Sequence, residues 1–209
     1  MPPEEQDLPR ELQPNYSEDG VDLSLVRWML SLTPAERLRV LEQHSANLEE
    51  ILRRLRESGT DFVIVGELAG ELNGAPVHTL ELDIVHSRDT ANVARLLPVL
   101  ESLDAVFRIQ PERRIQPNAS YLSGPGHLNL ITRFGPLDVL GSIGRGLAYA
   151  DLLPHSAEMD IGGGIRVRVL DLETLNALKE DLGTDKDRAM LPLLRRTLEE
   201  QRRRERPVC

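Results

Sequence analysis

The stretch VHTLELDIVHS, residues 77–87, sets Glu81 and Asp83 inside an apolar run. Leu80, Leu82, Ile84 and Val85 make it read as a buried strand, and a strand aims residues two apart at the same face. Two carboxylates held side by side repel one another and raise each other's proton affinity unless a cation lies between them. A third acid, Asp138, lies in a second apolar stretch, GPLDVLG. If that strand pairs beside LELDIV, all three acids converge on one spot. The other arrangement leaves Glu81 and Asp83 on a solvent-facing edge with Asp138 in a separate turn.

The rest of the chain supplies a sheet for those strands. DFVIVG reads as a short buried strand ending in glycine, with ELAGELNG continuing as a helix, and RDTANVARLLPVLESL as a helix bent or interrupted by Pro98. AVFRI reads as a strand and QPERRIQPNASYLSGPG as an irregular excursion. HLNLITRF and GPLDVLG form a strand pair joined at Gly135-Pro136. A short helix near GLAYADLL follows, then the pair AEMDI and IRVRVL about Gly162-Gly163-Gly164, and two closing helices, DLETLNALKEDL and DKDRAMLPLLRRTLEEQRRR. Ahead of these, GVDLSLVRWMLSL is a short helix. Thr33-Pro34-Ala35-Glu36 combines a capping box with proline at the first helical position, opening a stretch whose Leu38, Leu41, Leu48, Leu52 and Leu55 form one apolar stripe. Strands and helices alternate early and mix later. The expected fold is α+β, a mixed sheet flanked by N-terminal and C-terminal helices. Its expected organisation is a disordered tail over 1–20, helices over 21–58 and the main domain over 59–209.

Composition narrows the function. A net charge of −9 with aromatic residues at 3% argues against a broad nucleic-acid-binding face. No apolar run approaches the roughly 20 residues of a membrane helix, and the first residues have no secretory-signal pattern. The single cysteine, Cys209, permits no internal disulfide, so a cytoplasmic setting is expected. Of the 25 basic residues only Lys179 and Lys186 are lysine.

Three carboxylates with no histidine or thiolate nearby suit hard divalent cations, above all magnesium. The five histidines show no zinc spacing. Magnesium among carboxylates implies phosphate chemistry, and VIVGELAG offers a glycine turn running into a helix. It is not a Walker A motif, because no Lys-Ser/Thr follows the turn.

A strand ending in glycine, a helix, the T-x-[DE]-x-D-[IL]-V pattern of Thr79 to Val85 and a later strand with a lone Asp resemble the nucleotidyltransferase superfamily related to polymerase β. The resemblance covers roughly residues 60–190 and is strongest to the minimal bacterial members, abortive-infection toxins among them. It implies that Glu81, Asp83 and Asp138 bind two magnesium ions, and that Gly66, Glu67 and Thr79 border the nucleotide. It also implies that Lys179, Lys186 and Asp187 sit near the triphosphate. The implied activity moves a nucleoside monophosphate from an NTP to a hydroxyl on a protein, an RNA 3′ end or a small molecule, with an antitoxin as partner if the chain is a toxin. The chain departs from the family at Glu67, where a small or hydroxylic residue is usual, and at Glu81, where Asp is usual. Those departures favour the alternative, a catalytically lapsed binding or regulatory module. Glu67 itself is expected to compete with phosphate for the turn after Gly66.

Overall fold

In the computed structural model, which describes residues 16–42, 48–77, 79 and 81–205, one mixed seven-stranded sheet carries the chain. Its strands are β1 (Phe62–Val65), β2 (Leu82–His86), β3 (Val106–Phe107), β4 (His127–Thr132), β5 (Gly135–Leu140), β6 (Ser156–Asp160) and β7 (Arg166–Leu170), in the spatial order β3-β4-β5-β2-β1-β7-β6. The β2–β5 and β1–β7 pairs are parallel and the others antiparallel. All four residues of β1 are buried, so both faces of the sheet are covered where it is widest. This is the expected α+β fold.

The helices among the described residues are α1 (Leu23–Ser31), α2 (Pro34–Glu42), α3 (Leu48–Glu57), α4 (Gly66–Leu72), α5 (Thr90–Ser102), α6 (Ala119–Ser123), α7 (Tyr149–Leu152), α8 (Leu172–Leu182) and α9 (Asp185–Glu205). The capping box forms as expected: Glu36 accepts from the Thr33 amide at 2.8 Å while the Glu36 amide donates to the Thr33 hydroxyl at 3.2 Å. In α3, Leu48, Ile51, Leu52 and Leu55 recur at helical spacing and are all buried, against α5 and β7. Leu38 joins the same core, and the side chain of Leu41 lies outside the described residues. Leu52→Ala should therefore cost about 2–5 kcal/mol, the range for a truncated core leucine, read as a fall in the urea midpoint. A change within experimental error would mean that α3 is only loosely attached to the sheet.

Two local expectations change. The β4–β5 hairpin turns at Arg133-Phe134 rather than at Gly135-Pro136, pairing Thr132 with Gly135. Pro136 sits inside β5, where its missing N–H costs nothing on the β2 side because that ladder begins at Leu137. The helix α5 runs through Pro98 without interruption; Pro98 and Ala94, whose carbonyl loses its partner, are both exposed and open to water. Of the expected tail, residues 1–15 lie outside the described residues, and residues 16–20 make a turn closed by a Tyr16–Asp22 bridge. Among the described residues no helix is long and apolar enough to cross a membrane.

A carboxylate cluster at the centre of the sheet

The parallel register of β2 and β5 sets Asp83 directly beside Asp138. Glu81, just ahead of β2, completes the group: one oxygen from each of the three carboxylates lies within 4.8 Å of the others. The cluster opens into a cleft of about 300 Å³ whose acidic and basic lining is Asp83, Asp138, His127 and Lys179, with Leu140, Ile143 and Leu178 among its apolar walls.

The row continues on either side. On the β4 side, Asn129 stands opposite Asp138 and donates from Nδ2 to its Oδ2 at 2.6 Å. Arg108 follows β3 and is tied by its amide to the Asn129 carbonyl. Its guanidinium donates from Nη1 to Glu81 at 2.6 Å and from Nη2 to Asp138 at 3.1 and 3.3 Å. On the β1 side, Val65 faces Asp83 across the ladder and Gly66 follows it. Gly66 has φ +66°, and a Cβ there would lie 2.0 Å from Asp83 Oδ2. The glycine is needed because the carboxylate occupies the space a side chain would fill.

Electrostatics set Asp83 apart. Among the described residues no hydrogen-bond donor serves its carboxylate, whereas Asp138 has Asn129 and Arg108 and Glu81 has Arg108. Burial first, then the charges of Asp138, Glu81 and Glu67, push Asp83 from 3.8 to about 7. Burial also raises Asp138, against the lowering effects of Asn129 and Arg108. An all-carboxylate donor set with one member lacking any donor, and a guanidinium already across the other two, fits a hard divalent cation in charge and ligand type.

The remaining expected residues take particular places. Thr79 is buried, and its hydroxyl accepts from the Glu81 amide at 3.1 Å, which ties it to the entry of β2. Glu67, expected to compete with phosphate, is instead ion-paired with Lys186 at 2.6 Å, its side chain nearly buried while that of Lys186 is 70% exposed. The carboxylate is thereby engaged, and a cation stands at the surface beside it. Lys179 lines the cleft and binds Asp187 at 2.9 Å, linking α8 to α9. Burial opposes ionisation of Asp187, but bonds from Thr184 and Lys179 hold it below its ordinary value.

Arg108 and Asn129 were not expected. For Asn129 a signal exists, the alternation of His127, Asn129 and Ile131 against buried neighbours along β4. For Arg108 no local pattern exists, because its partners are 27 and 30 residues away.

No family model matches this chain, and no curated protein sequence matches it. Among solved structures, it is similar to a protein of Thermotoga maritima described as a "putative nucleotidyltransferase", at 20% identity and a TM-score of 0.46, over 81% of this chain and 96% of that one.

Proposed function

We propose that this chain transfers a nucleoside monophosphate from an NTP to a hydroxyl acceptor, releasing pyrophosphate. The observation that carries the reading is the register pairing of Asp83 with Asp138, with Glu81 in reach and the Gly66 turn against Asp83. Glu81, Asp83 and Asp138 would hold the metal. Divalent cations, when bound, supply charge neutralisation along the triphosphate and acidify the acceptor hydroxyl. The acceptor oxygen attacks the α-phosphorus, a new P–O bond forms, and the bond to the bridging α–β oxygen breaks. Asp138, which accepts from the neutral Asn129 amide as well as from Arg108, is the candidate to take the hydroxyl proton. Lys186 and Lys179 are the cations available to the triphosphate. The finer parts of the reading rest on the resemblance of residues 60–190: two magnesium ions, NTP as donor, and a toxin restrained by an antitoxin. So does the assignment of 59–209 as the transferase domain with 21–58 as helices added to it.

Labelled NTPs incubated with protein, magnesium and cell lysate test the proposal. Label should pass to an acceptor with wild type and not with Asp83→Asn. Label transfer that survives the substitution would refute it.

The alternative of a lapsed binding module draws on a specific observation: Arg108 and Lys186 already neutralise Glu81, Asp138 and Glu67 within the chain. Magnesium-dependent NTP binding separates the two, since a lapsed site shows little. In that assay Glu67→Ser should tighten binding on the order of tenfold, about 1.4 kcal/mol, because it removes a carboxylate and releases Lys186. Weaker binding would show that Lys186 must be held by Glu67 to meet the ligand.

A further inference from the structure

Three nitrogen-bearing side chains border Asp138 on the β4 side of the cleft, away from Gly66 and Lys186. Asn129 donates to Asp138, and Arg108 spans Asp138 and Glu81. His127, two residues before Asn129 and so on the same face of β4, lines the cleft with both aspartates. Arg108 lies across two of the three carboxylates that would hold a cation. Its N–H groups use the oxygen lone pairs that a metal would use, and like charges at that separation repel. The guanidinium and a metal drawn to all three carboxylates therefore exclude one another from the same oxygens.

We propose that Arg108 is the counter-ion of the metal-free cluster and that, once cations take the carboxylates, it becomes the receptor for an anionic group, phosphate or carboxylate, on the acceptor. The inference rests on the transfer reading above. Among the described residues, Glu81 and Asp138 are the only acids in ion-pair reach of Arg108, so its release frees a guanidinium that no other described acid pairs with. A guanidinium fork matches a phosphate or carboxylate through two parallel N–H bonds, and the Asn129 amide stands beside it as a further donor. The strand order places this pair beyond Asp138, while Lys186, held by Glu67 next to Gly66 at the end of β1, lies on the other side of the aspartates. An anion there belongs to the group that brings the hydroxyl, while the triphosphate meets the lysine.

Calorimetry on the full chain tests both halves. Manganese is titrated, without nucleotide, into wild type, Arg108→Gln and Arg108→Lys. The Gln variant should bind it roughly tenfold more tightly than wild type, with Lys between them because it keeps the charge and loses the fork. With manganese saturating, glycerol 3-phosphate, glycerate and glycerol follow. Wild type should bind at least one of the two anions and not glycerol, and Arg108→Gln should lose roughly tenfold of that affinity. Equal manganese affinity in wild type and variant overturns the counter-ion role while leaving the metal site standing. No manganese binding by any of the three overturns the transfer reading as well. Anion binding that is absent from wild type, or equal in wild type and Arg108→Gln, overturns the receptor role, since an anion held by the metal alone does not depend on residue 108. Should the Gln variant fail to fold, the Lys variant carries the same comparisons.

Discussion

Asp83→Asn is expected to reduce the proposed nucleotidyl transfer by about 10²–10³-fold, the scale at which one preorganised charge-stabilising group acts, while the metal-free protein becomes no less stable. The two effects share one cause. Burial, with Asp138, Glu81 and Glu67 close by, pushes the Asp83 carboxyl from 3.8 to about 7. Between those values the folded chain holds a proton that the unfolded chain gives up, so this group's contribution to stability falls as pH rises through the window. Asn keeps the shape of the neutral acid and removes that slope. Melting temperature of the metal-free protein should thus fall between pH 5 and 8 for wild type, and fall less for the variant. Glu71, which burial pushes to about 8, adds a dependence of its own, so the informative quantity is the difference between the two proteins. Divalent cations should raise the melting temperature of wild type and leave the variant nearly unmoved. A variant that melts well below wild type at pH 8 would instead give Asp83 a structural bonding role.

The acids were legible in the sequence because their signal is local in kind: a charge inside an apolar strand stands out wherever the strand pairs. Their convergence was legible only as a condition, since nothing in LELDIV and PLDVL states that β2 lies beside β5 in parallel. The hairpin shows how register information is lost. Turn chemistry favours a turn at Gly135-Pro136, yet the turn falls two residues earlier, and only from there does counting back set Asn129 opposite Asp138. From the sequence Gly66 reads as a phosphate turn, while its conformation and the Asp83 carboxylate against it give a second reason that requires both strands in place. In the sequence Glu67 has no counter-charge beside it, because Lys186, its partner, lies over a hundred residues away on α9. Arg108 had no signal, since an arginine at the end of a two-residue strand has no pattern until the sheet is assembled.

Gly66→Ala should be as damaging to transfer as loss of Asp83, and it should also destabilise the fold. The new Cβ would lie 2.0 Å from Asp83 Oδ2 and 2.9 Å from its Cγ, inside any real contact distance. The backbone at φ +66° adds a conformational cost of about 1–3 kcal/mol for a residue other than glycine. Relief requires the Asp83 side chain to rotate out of line with Asp138 or α4 to move off the sheet, and either change dismantles the carboxylate cluster. Manganese affinity should therefore fall along with activity. If Gly66 served only to bring backbone close to a triphosphate, NTP binding would suffer while manganese binding in its absence stayed unchanged. A double-mutant cycle separates steric conflict from general strain. In the Asp83→Ala background the nearest surviving atom is the residue 83 Cβ at 3.1 Å, tight but tolerable. Adding Gly66→Ala there should cost the melting temperature markedly less than adding it to wild type. Equal costs in the two backgrounds would mean that the strained backbone alone accounts for the glycine, and the fit between Gly66 and Asp83 would lose its claim to shape the site.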